Sequence, residues 1–314
     1  MGEPTRTAIL DRLAAGATSG PALAASLGVT RAAVWKQIEQ LRAEGVRIDA
    51  TAEGYRIAGV SGVTAATLSL DASFDWEVVH AARMRSTNTR ARAVIDAGGP
   101  DCAIVADTQT DARGRRGRTW SAPAGGIWLS VVHTPTLGTH ALPLYTLAAA
   151  VAVTDTLKRW GLTPEIKWPN DVRLTDAPRG KVAGILSEHH GEVDGGGRVV
   201  IGVGLNLNLP LDALPEGATA VAAVRGARDR RRSTQQLLAQ LADALTTLEG
   251  PDGTAAVTDR WRAAAATLGR AVAVELPAER VEGTAVDITD TGALVVETAA
   301  GRRRVTAGDC IHLR

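Results

Sequence analysis

The chain has only two cysteines, Cys102 and Cys310, in 314 residues, and their wide separation excludes a disulfide framework. It is also poor in lysine. Lys36, Lys158, Lys167 and Lys181 are the whole set, which leaves 31 arginines among 35 basic residues. Net charge is scarce as well: 35 basic against 34 acidic side chains give +1, so overall charge points to no particular partner. No apolar run approaches the ~18 residues of a membrane span, and the opening stretch MGEPTRTAILDRL has no apolar signal core. A cytoplasmic protein with no membrane contact is therefore expected. The chain is 45% hydrophobic and 22% charged, which is ordinary for a folded protein and excludes wholesale disorder. At about 100–200 residues per domain, the length suits two domains, or three if some are small.

The first sixty residues read as three short helices and a hairpin. Ile9, Leu10 and Leu13 give one apolar face. Thr18-Ser19 before Pro21 start a second helix that stops at Gly28, and Thr30 caps a third with Val34, Ile38 and Leu41 on its buried side. A turn of only Gly28-Val29-Thr30 is helix-turn-helix spacing, in which the second helix of the pair can lie in a DNA major groove. Residues 46–49 and 54–57 read as two strands of a wing, and Gly59 to Gly62 as a linker. From Val63 to about Leu268 strands and helices mix. Ala141 to Leu157, Gln235 to Leu248 and Val257 to Leu268 read as helices. Glu165 to Trp168, Lys181 to Glu188 and Arg198 to Leu207 read as strands, with a Gly-rich turn at 189–197. The last 46 residues change to four short alternating strands, at 271–276, 283–288, 293–298 and 303–306, and a small β-barrel is expected.

The most prominent local feature is Asp111-Ala112-Arg113-Gly114-Arg115-Arg116-Gly117-Arg118-Thr119-Trp120. Guanidinium forks and exposed backbone N–H groups suit phosphates, although a solvated basic turn or a nucleic-acid patch fits the loop alone. Lys167-Trp168-Pro169-Asn170-Asp171 reads by itself as a strand end and turn. Strict alternation would put Lys181 on one face with Ala183, Ile185 and Ser187, a poor structural place for a lysine. Ser86-Thr87-Asn88 is an uncharged hydrogen-bonding triplet that also suits a helix cap.

In this order, Ser86-Thr87-Asn88, Gln109, the Arg/Gly loop ending at Trp120, Lys167 to Asp171, Lys181 to Leu186, and Gly202-Val203-Gly204-Leu205-Asn206-Leu207-Asn208 resemble the biotin–protein ligases. With the helix-turn-helix in front, the chain resembles the form that also represses the biotin operon, and the likeness spans essentially the whole chain. The resemblance implies an α+β protein. Its parts would be a winged helix-turn-helix (1–62), a mixed α/β catalytic domain similar to class II synthetases and biotin–lipoate ligases (63–268), and an SH3-like β-barrel (269–314). It also implies ATP-dependent activation of biotin to biotinyl-5'-AMP, with Mg²⁺ on the phosphates, and transfer to a lysine of biotin carboxyl carrier protein. Operator DNA and a ligand-promoted homodimer would be further partners.

The residue roles follow from the same resemblance. Ser86, Thr87, Asn88 and Gln109 would supply neutral donors and acceptors for biotin's ureido ring. Arg113, Gly114 and Arg115 would close over biotin, and Lys181 would reach its carboxylate. Lys181 and Arg115 would be catalytic, screening two anions as they are brought together. Arg115, Arg118, Trp120, Lys167, Asn170, Asp171, Asn206 and Asn208 would hold the nucleotide, and Arg31, Trp35 and Lys36 would meet DNA. No metal-ligating residues are singled out. One departure is Ala112, where the family loop usually has glycine. Alanine disfavours positive φ, so an altered closed shape is expected. Like charges are expected to keep the loop open.

Other features read as structural. Glu188-His189-His190 suits a surface hairpin end, Cys102 and Cys310 suit the core, and the arginines of 228–232 suit a solvated loop. Arg302-Arg303-Arg304 suits a solvated strand or a surface that meets the carrier. Two rivals remain: a lipoate-type ligase, and a ligand-sensing transcription regulator without catalysis. A sensor of a neutral ligand needs neither Lys181 nor a phosphate-type loop, and the loop followed by Lys-Trp-Pro-Asn-Asp favours biotin over lipoate.

Overall fold

The computed structural model describes residues 8–313 except 11, 14–15, 44–45, 61, 71, 139–140 and 192–196. The tip of the expected 189–197 turn and residue 61 of the expected linker lie outside the described residues. Residues 8–10 and 12–13 are helical and bury Ile9, Leu10 and Leu13. Helix α1 (Gly20–Leu27) opens on Ser19, whose side chain accepts from Ala22 N, and closes on Gly28 at φ 64°, a left-handed cap that glycine adopts without steric cost. Helix α2 (Arg31–Ala43) follows Thr30, whose hydroxyl accepts from Ala33 N at 3.2 Å, and buries Val34, Ile38 and Leu41. Strands β1 (Val46–Thr51) and β2 (Gly54–Val60) pair antiparallel as the wing, so the strand continues into the expected linker. On the short helix α3 (Ala65–Ser69), Ala66 packs into the N-terminal core, as does the following Leu70, whereas Leu68 packs into the central core.

The central unit comprises, in chain order, β3 (Glu77–Met84), α4 (Thr87–Asp96), β4 (Cys102–Gln109), β5 (Ile127–His133), α5 (Leu142–Arg159), β6 (Pro164–Lys167), β7 (Asp171–Leu174), β8 (Gly180–His190), β9 (Arg198–Leu205), α6 (Arg230–Leu248) and α7 (Gly253–Ala264). Its seven strands lie in the order β3-β4-β5-β9-β8-β7-β6, with β3 and β4 parallel and every other neighbour antiparallel. Ile127, Leu129 and Val131 of β5 and Val199, Ile201, Val203 and Leu205 of β9 join the core that includes α5, α6 and α7. The alternate residues face the other way. Val132 and Val200 pack with Ala91 of α4, while Ser130, Gly202 and Gly204 turn toward the functional residues.

Three expectations are corrected. The arginine run is the start of α6, five residues earlier than its apolar pattern suggested, because Asp229 caps it by accepting from Arg232 N. Its side chains are engaged: Arg228 stacks over Trp160 at 4.3 Å, Arg230 pairs with Asp107 at 2.5 Å, and Arg231 donates to Gln235 at 2.9 Å. The last expected helix starts earlier and ends at Ala264. The C-terminal part has five strands rather than four: β10 (Ala271–Glu275), β11 (Arg280–Ile288), β12 (Leu294–Thr298), β13 (Gly301–Val305) and β14 (Asp309–His312). Their order β13-β12-β11-β10-β14 leaves β13 and β14 as two edges, so the pairing is an open antiparallel sheet rather than a closed barrel. No helix among the described residues is long and apolar enough to cross a membrane.

Candidate active site

A cavity of about 680 Å³ gathers Ser86, Thr87, Asn88, Gln109, Arg113, Gly114, Arg115, Arg118, Trp120, Lys167, Asn170, Asp171, Lys181 and Asn206. One wall is built at the N-terminus of α4. Ser86 caps that helix, its Oγ accepting from Thr89 N at 3.4 Å. Thr87 N and Oγ1 both donate to Gln109 Oε1, at 2.6 and 3.2 Å. Asn88 is pinned from two sides: Oδ1 accepts from the buried Ser130 Oγ at 2.6 Å, and Nδ2 donates to Glu188 Oε2 at 2.7 Å and Leu186 O at 3.4 Å. Both amide hydrogens of Asn88 are therefore used within the protein, which makes it a keystone of the wall. Gly202 must lack a side chain here, because a Cβ would lie 2.2 Å from Asn88 Oδ1. Gly204 does the same for the Trp120 indole, 2.8 Å from where its Cβ would be.

Lys181 enters the cavity through a β-bulge. Val172 of β7 pairs with Ala183 and Arg173 with Lys181, so Val182 has no partner of its own. Two residues then oppose one, and the alternation shifts by one position. Ala183 and Ile185 are buried in the core, Ile185 also bordering the cavity, which Lys181 shares with Gly184, Leu186 and Glu188. The expected grouping of Lys181 with Ala183, Ile185 and Ser187 is thus overturned. Lys181 Nζ lies 2.6 Å from Asp171 Oδ1 and 5.0 Å from the centre of the Trp120 ring. Its backbone is clamped by the 217–219 segment, with Lys181 N donating to Gly217 O and Thr219 N to Lys181 O, each at 2.9 Å. Asn206 holds the same segment, donating from Nδ2 to Thr219 O at 3.0 Å.

The arginine loop is a small closed hairpin. Trp120 N donates to Ala112 O at 3.0 Å and Gly114 N to Arg118 O at 2.6 Å. Among the described residues Arg116 (φ 56°) is the only non-glycine with positive φ. Ala112 therefore carries no such strain; it is buried and packs with Trp120, Ala122, Trp128, Leu209 and Ala220. Nor do like charges hold the loop apart, because each arginine has a partner. Arg113 pairs with Asp111 at 2.6 Å, Arg116 pairs with Asp309 at 3.2 Å, and Arg118 also pairs with Asp309. Arg115 differs in donating only to neutral acceptors, Gly308 O at 3.0 Å and Asn170 Oδ1 at 3.4 Å. Burial holds its guanidinium below the ordinary value, Asp309 and Asp171 pull the other way, and Arg116 and Arg118 add to the lowering. Arg115 is thus the loop cation whose charge no direct carboxylate contact offsets.

Asn170, in the turn before β7, is fixed by the neighbouring strand β8, with Nδ2 donating to Ile185 O at 2.8 Å and Ile185 N donating to Asn170 O at 2.9 Å. The 167–171 turn is tied to the C-terminal sheet. Trp168 N donates to Thr267 Oγ1 at 2.9 Å, and that hydroxyl lies 3.1 Å from His312 Nε2. Burial first, and then Lys167, Arg270 and Arg173, push the His312 pKa down to about 4, so the ring is neutral at pH 7.

Asn208 does not reach the cavity. Its amide clamps Arg228 instead, donating to the carbonyl at 2.8 Å and accepting from the backbone N–H at 2.9 Å. Glu188 was read as surface but lines the cavity, as do Glu275, Asp309, Cys310 and Ile311 from the C-terminal sheet. An even-numbered spacing from Gly184 through Leu186 could have singled out Glu188 once the bulge was known. The C-terminal contribution left no local signal. On α2, Arg31 and Lys36 are exposed and Trp35 is 58% exposed, opposite the buried Val34, Ile38 and Leu41. No group of three or more metal-binding side chains occurs among the described residues.

Comparisons with known proteins agree with this layout. Residues 5–56 match an HTH domain, 81–206 the biotin/lipoate A/B protein ligase family, and 267–313 the biotin protein ligase C terminal domain. The bifunctional ligase/repressor BirA of Bacillus spizizenii is 31% identical over 309 residues, covering 93% of this chain and 92% of that protein. A biotin–[acetyl-CoA-carboxylase] ligase of Mycobacterium tuberculosis is 35% identical over 243 residues, 74% of this chain and 88% of that one. In fold, the Aquifex aeolicus biotin protein ligase solved in complex with biotin and ATP superposes with a TM-score of 0.62 at 24% identity, over 77% of this chain and all of that one. Matched at 31% identity along almost its full length by a bifunctional ligase/repressor, and over 81–206 by the family model, the chain belongs to the biotin protein ligase family.

Proposed function

We infer that this chain activates biotin with ATP, transfers it to a carrier-protein lysine, and acts on operator DNA through its winged helix. The observation that carries the reading is that one cavity holds both the Thr87–Gln109 wall and the cations Lys181 and Arg115. A ureido ring can use such a wall. A lipoyl dithiolane has no N–H or C=O to offer that wall, which disfavours lipoate. A sensor without catalysis has no use for the cations.

A carboxylate oxygen of biotin attacks the α-phosphorus of ATP, the bond to the bridging oxygen breaks, and pyrophosphate leaves. Two like charges about 4 Å apart repel by roughly 4 kcal/mol at an effective dielectric of 20. Lys181, Arg115 and Arg118 supply the opposing charge where carboxylate and phosphate meet. The unprotonated lysine amine of the carrier then attacks the acyl carbon, AMP leaves with the electron pair, and the nitrogen gives up one proton to solvent as the amide forms. Trp120, Lys167, Asn170, Asp171 and Asn206 contribute to the nucleotide side. Magnesium arriving with the nucleotide would screen the phosphate charge, and Asp171, the carboxylate beside Lys181, would help to hold it. A cytoplasmic location accords with the ATP requirement.

The working divisions are 1–62, 63–268 and 269–314. Residues 1–60 carry seven basic and six acidic side chains, so nonspecific attraction to DNA is modest and a dimer reading two half-sites is needed. Arg31, Trp35 and Lys36 are the exposed residues for that contact. Biotin plus ATP favours the dimer, with a coupling of about 5–150-fold. Biotin-dependent exchange of pyrophosphate into ATP, run beside lipoate, tests the ligase. Sedimentation and operator titration with and without biotin plus ATP test the switch. Exchange driven by lipoate alone, or a dimer constant that ignores both ligands, would overturn the corresponding half.

A further inference from the structure

The arginine loop and the C-terminal sheet meet at one carboxylate. Asp309 Oδ2 takes Arg116 Nη1 at 3.2 Å and also pairs with Arg118 Nη2. Arg116 Nη2 donates to Glu275 O at 2.7 Å, and Arg115 Nη1 donates to Gly308 O at 3.0 Å. Three of the four loop arginines are thereby anchored on β10 and on the start of β14, in a sheet separate from the one that carries the rest of the site. Arg116, at the centre of these anchors, is the left-handed residue of the loop, with φ 56°. That backbone is disfavoured for a residue with a Cβ, and it persists where surrounding contacts over-determine it. Arg115, Arg118 and Asp309 line the cavity, whereas Arg116 does not.

We propose that Asp309 is a positioning residue: it pins the arginine loop to the C-terminal sheet, so that Arg115 and Arg118 face the cavity before a nucleotide enters. The proposal rests on the ligase reading. Asp309 acts through the loop. A loop free to move would have to be ordered at each binding event, and that entropy is lost from nucleotide affinity. Biotin meets the loop but also the Thr87–Gln109 wall, which takes no part in these contacts, so its affinity is expected to weaken less than that of ATP.

The test uses the full chain with Asp309→Asn, which removes the charge at constant shape, Arg116→Gln on the loop side, and Asp309→Glu as the conservative variant. Limited trypsin cleavage after Arg113 or Arg115, with no nucleotide added, should quicken about three- to tenfold in Asp309→Asn and Arg116→Gln and stay near the original rate in Asp309→Glu. In pyrophosphate exchange, Asp309→Asn should raise KM for ATP by a similar factor, with kcat within about twofold and biotin affinity weakened less than KM for ATP is raised. Unchanged cleavage and unchanged KM for ATP in both charge-removing variants would overturn the proposal. So would a fall in kcat and biotin affinity together with a lower Tm, which marks general damage to the sheet. Absence of exchange in the unsubstituted protein would sink the ligase reading and leave cleavage to judge the pinning by itself.

Discussion

Lys181→Gln separates a charge at the reacting atoms from a merely structural lysine. Nζ lies 2.6 Å from Asp171 Oδ1 and is held over Trp120, with its side chain 31% exposed. A unit charge about 4 Å from a developing phosphate charge is worth roughly 4 kcal/mol at an effective dielectric of 20, near 10³ in rate, and partial solvent screening trims this toward 10². The substitution also leaves Asp171 without its cation, which adds repulsion at the same place. The rate of adenylate formation, read as single-turnover pyrophosphate release, should therefore fall by about 10²–10³, while biotin affinity weakens only about fivefold or less. Pyrophosphate release within a few-fold of the unsubstituted protein would refute a catalytic Lys181.

Two further outcomes follow from packing and titration. Gly202→Ala puts a Cβ 2.2 Å from Asn88 Oδ1, and Asn88 is held by Ser130 and Glu188 and cannot yield; it should cost about 1–3 kcal/mol in stability and weaken biotin binding in calorimetry. Gly114→Ala, whose Cβ would meet nothing closer than Arg118 O at 3.6 Å, should leave stability near neutral, and equal losses of stability from the two would contradict the account. His312 has its pKa pushed down to about 4 from 6.5, so the unfolded chain takes up its proton first as pH falls. Stability from this group is complete above pH 6.5 and is lost progressively toward pH 4, by on the order of 3 kcal/mol. Denaturant titrations of the original protein and His312→Gln should diverge across that window, and parallel curves would remove His312 from the acid response.

The motifs and their order were readable in the chain because each is local: the cap of α4, the arginine hairpin and the Lys-Trp-Pro-Asn-Asp turn all lie within a few residues. The helix-turn-helix was readable for the same reason, through Ser19, Gly28 and Thr30. What escaped depends on register or distance. The bulge at Val182 reverses the facing of everything after Lys181, and alternation cannot announce it; Glu188, whose sequence suits a surface hairpin end, lines the cavity instead. Asn208 belongs to a motif but clamps Arg228, 20 residues further on. The short strand β14 and the contacts of Asp309 join residues almost two hundred positions apart, which no local pattern encodes. Arginines 228–232 looked like a solvated run because their partners, Trp160 and Asp107, come from other elements.

The central claim is that this cavity makes and hands on a biotinyl adenylate. The most direct measurement incubates the full chain with labelled biotin, ATP and magnesium, isolates the protein-bound product, and then adds a carrier domain without further ATP. The account predicts a bound biotinyl-AMP formed with one pyrophosphate per biotin, followed by transfer of the label to a single lysine of the carrier and release of AMP. Label that stays as free biotin, or a carrier that is modified only when labelled lipoate replaces labelled biotin, would contradict it.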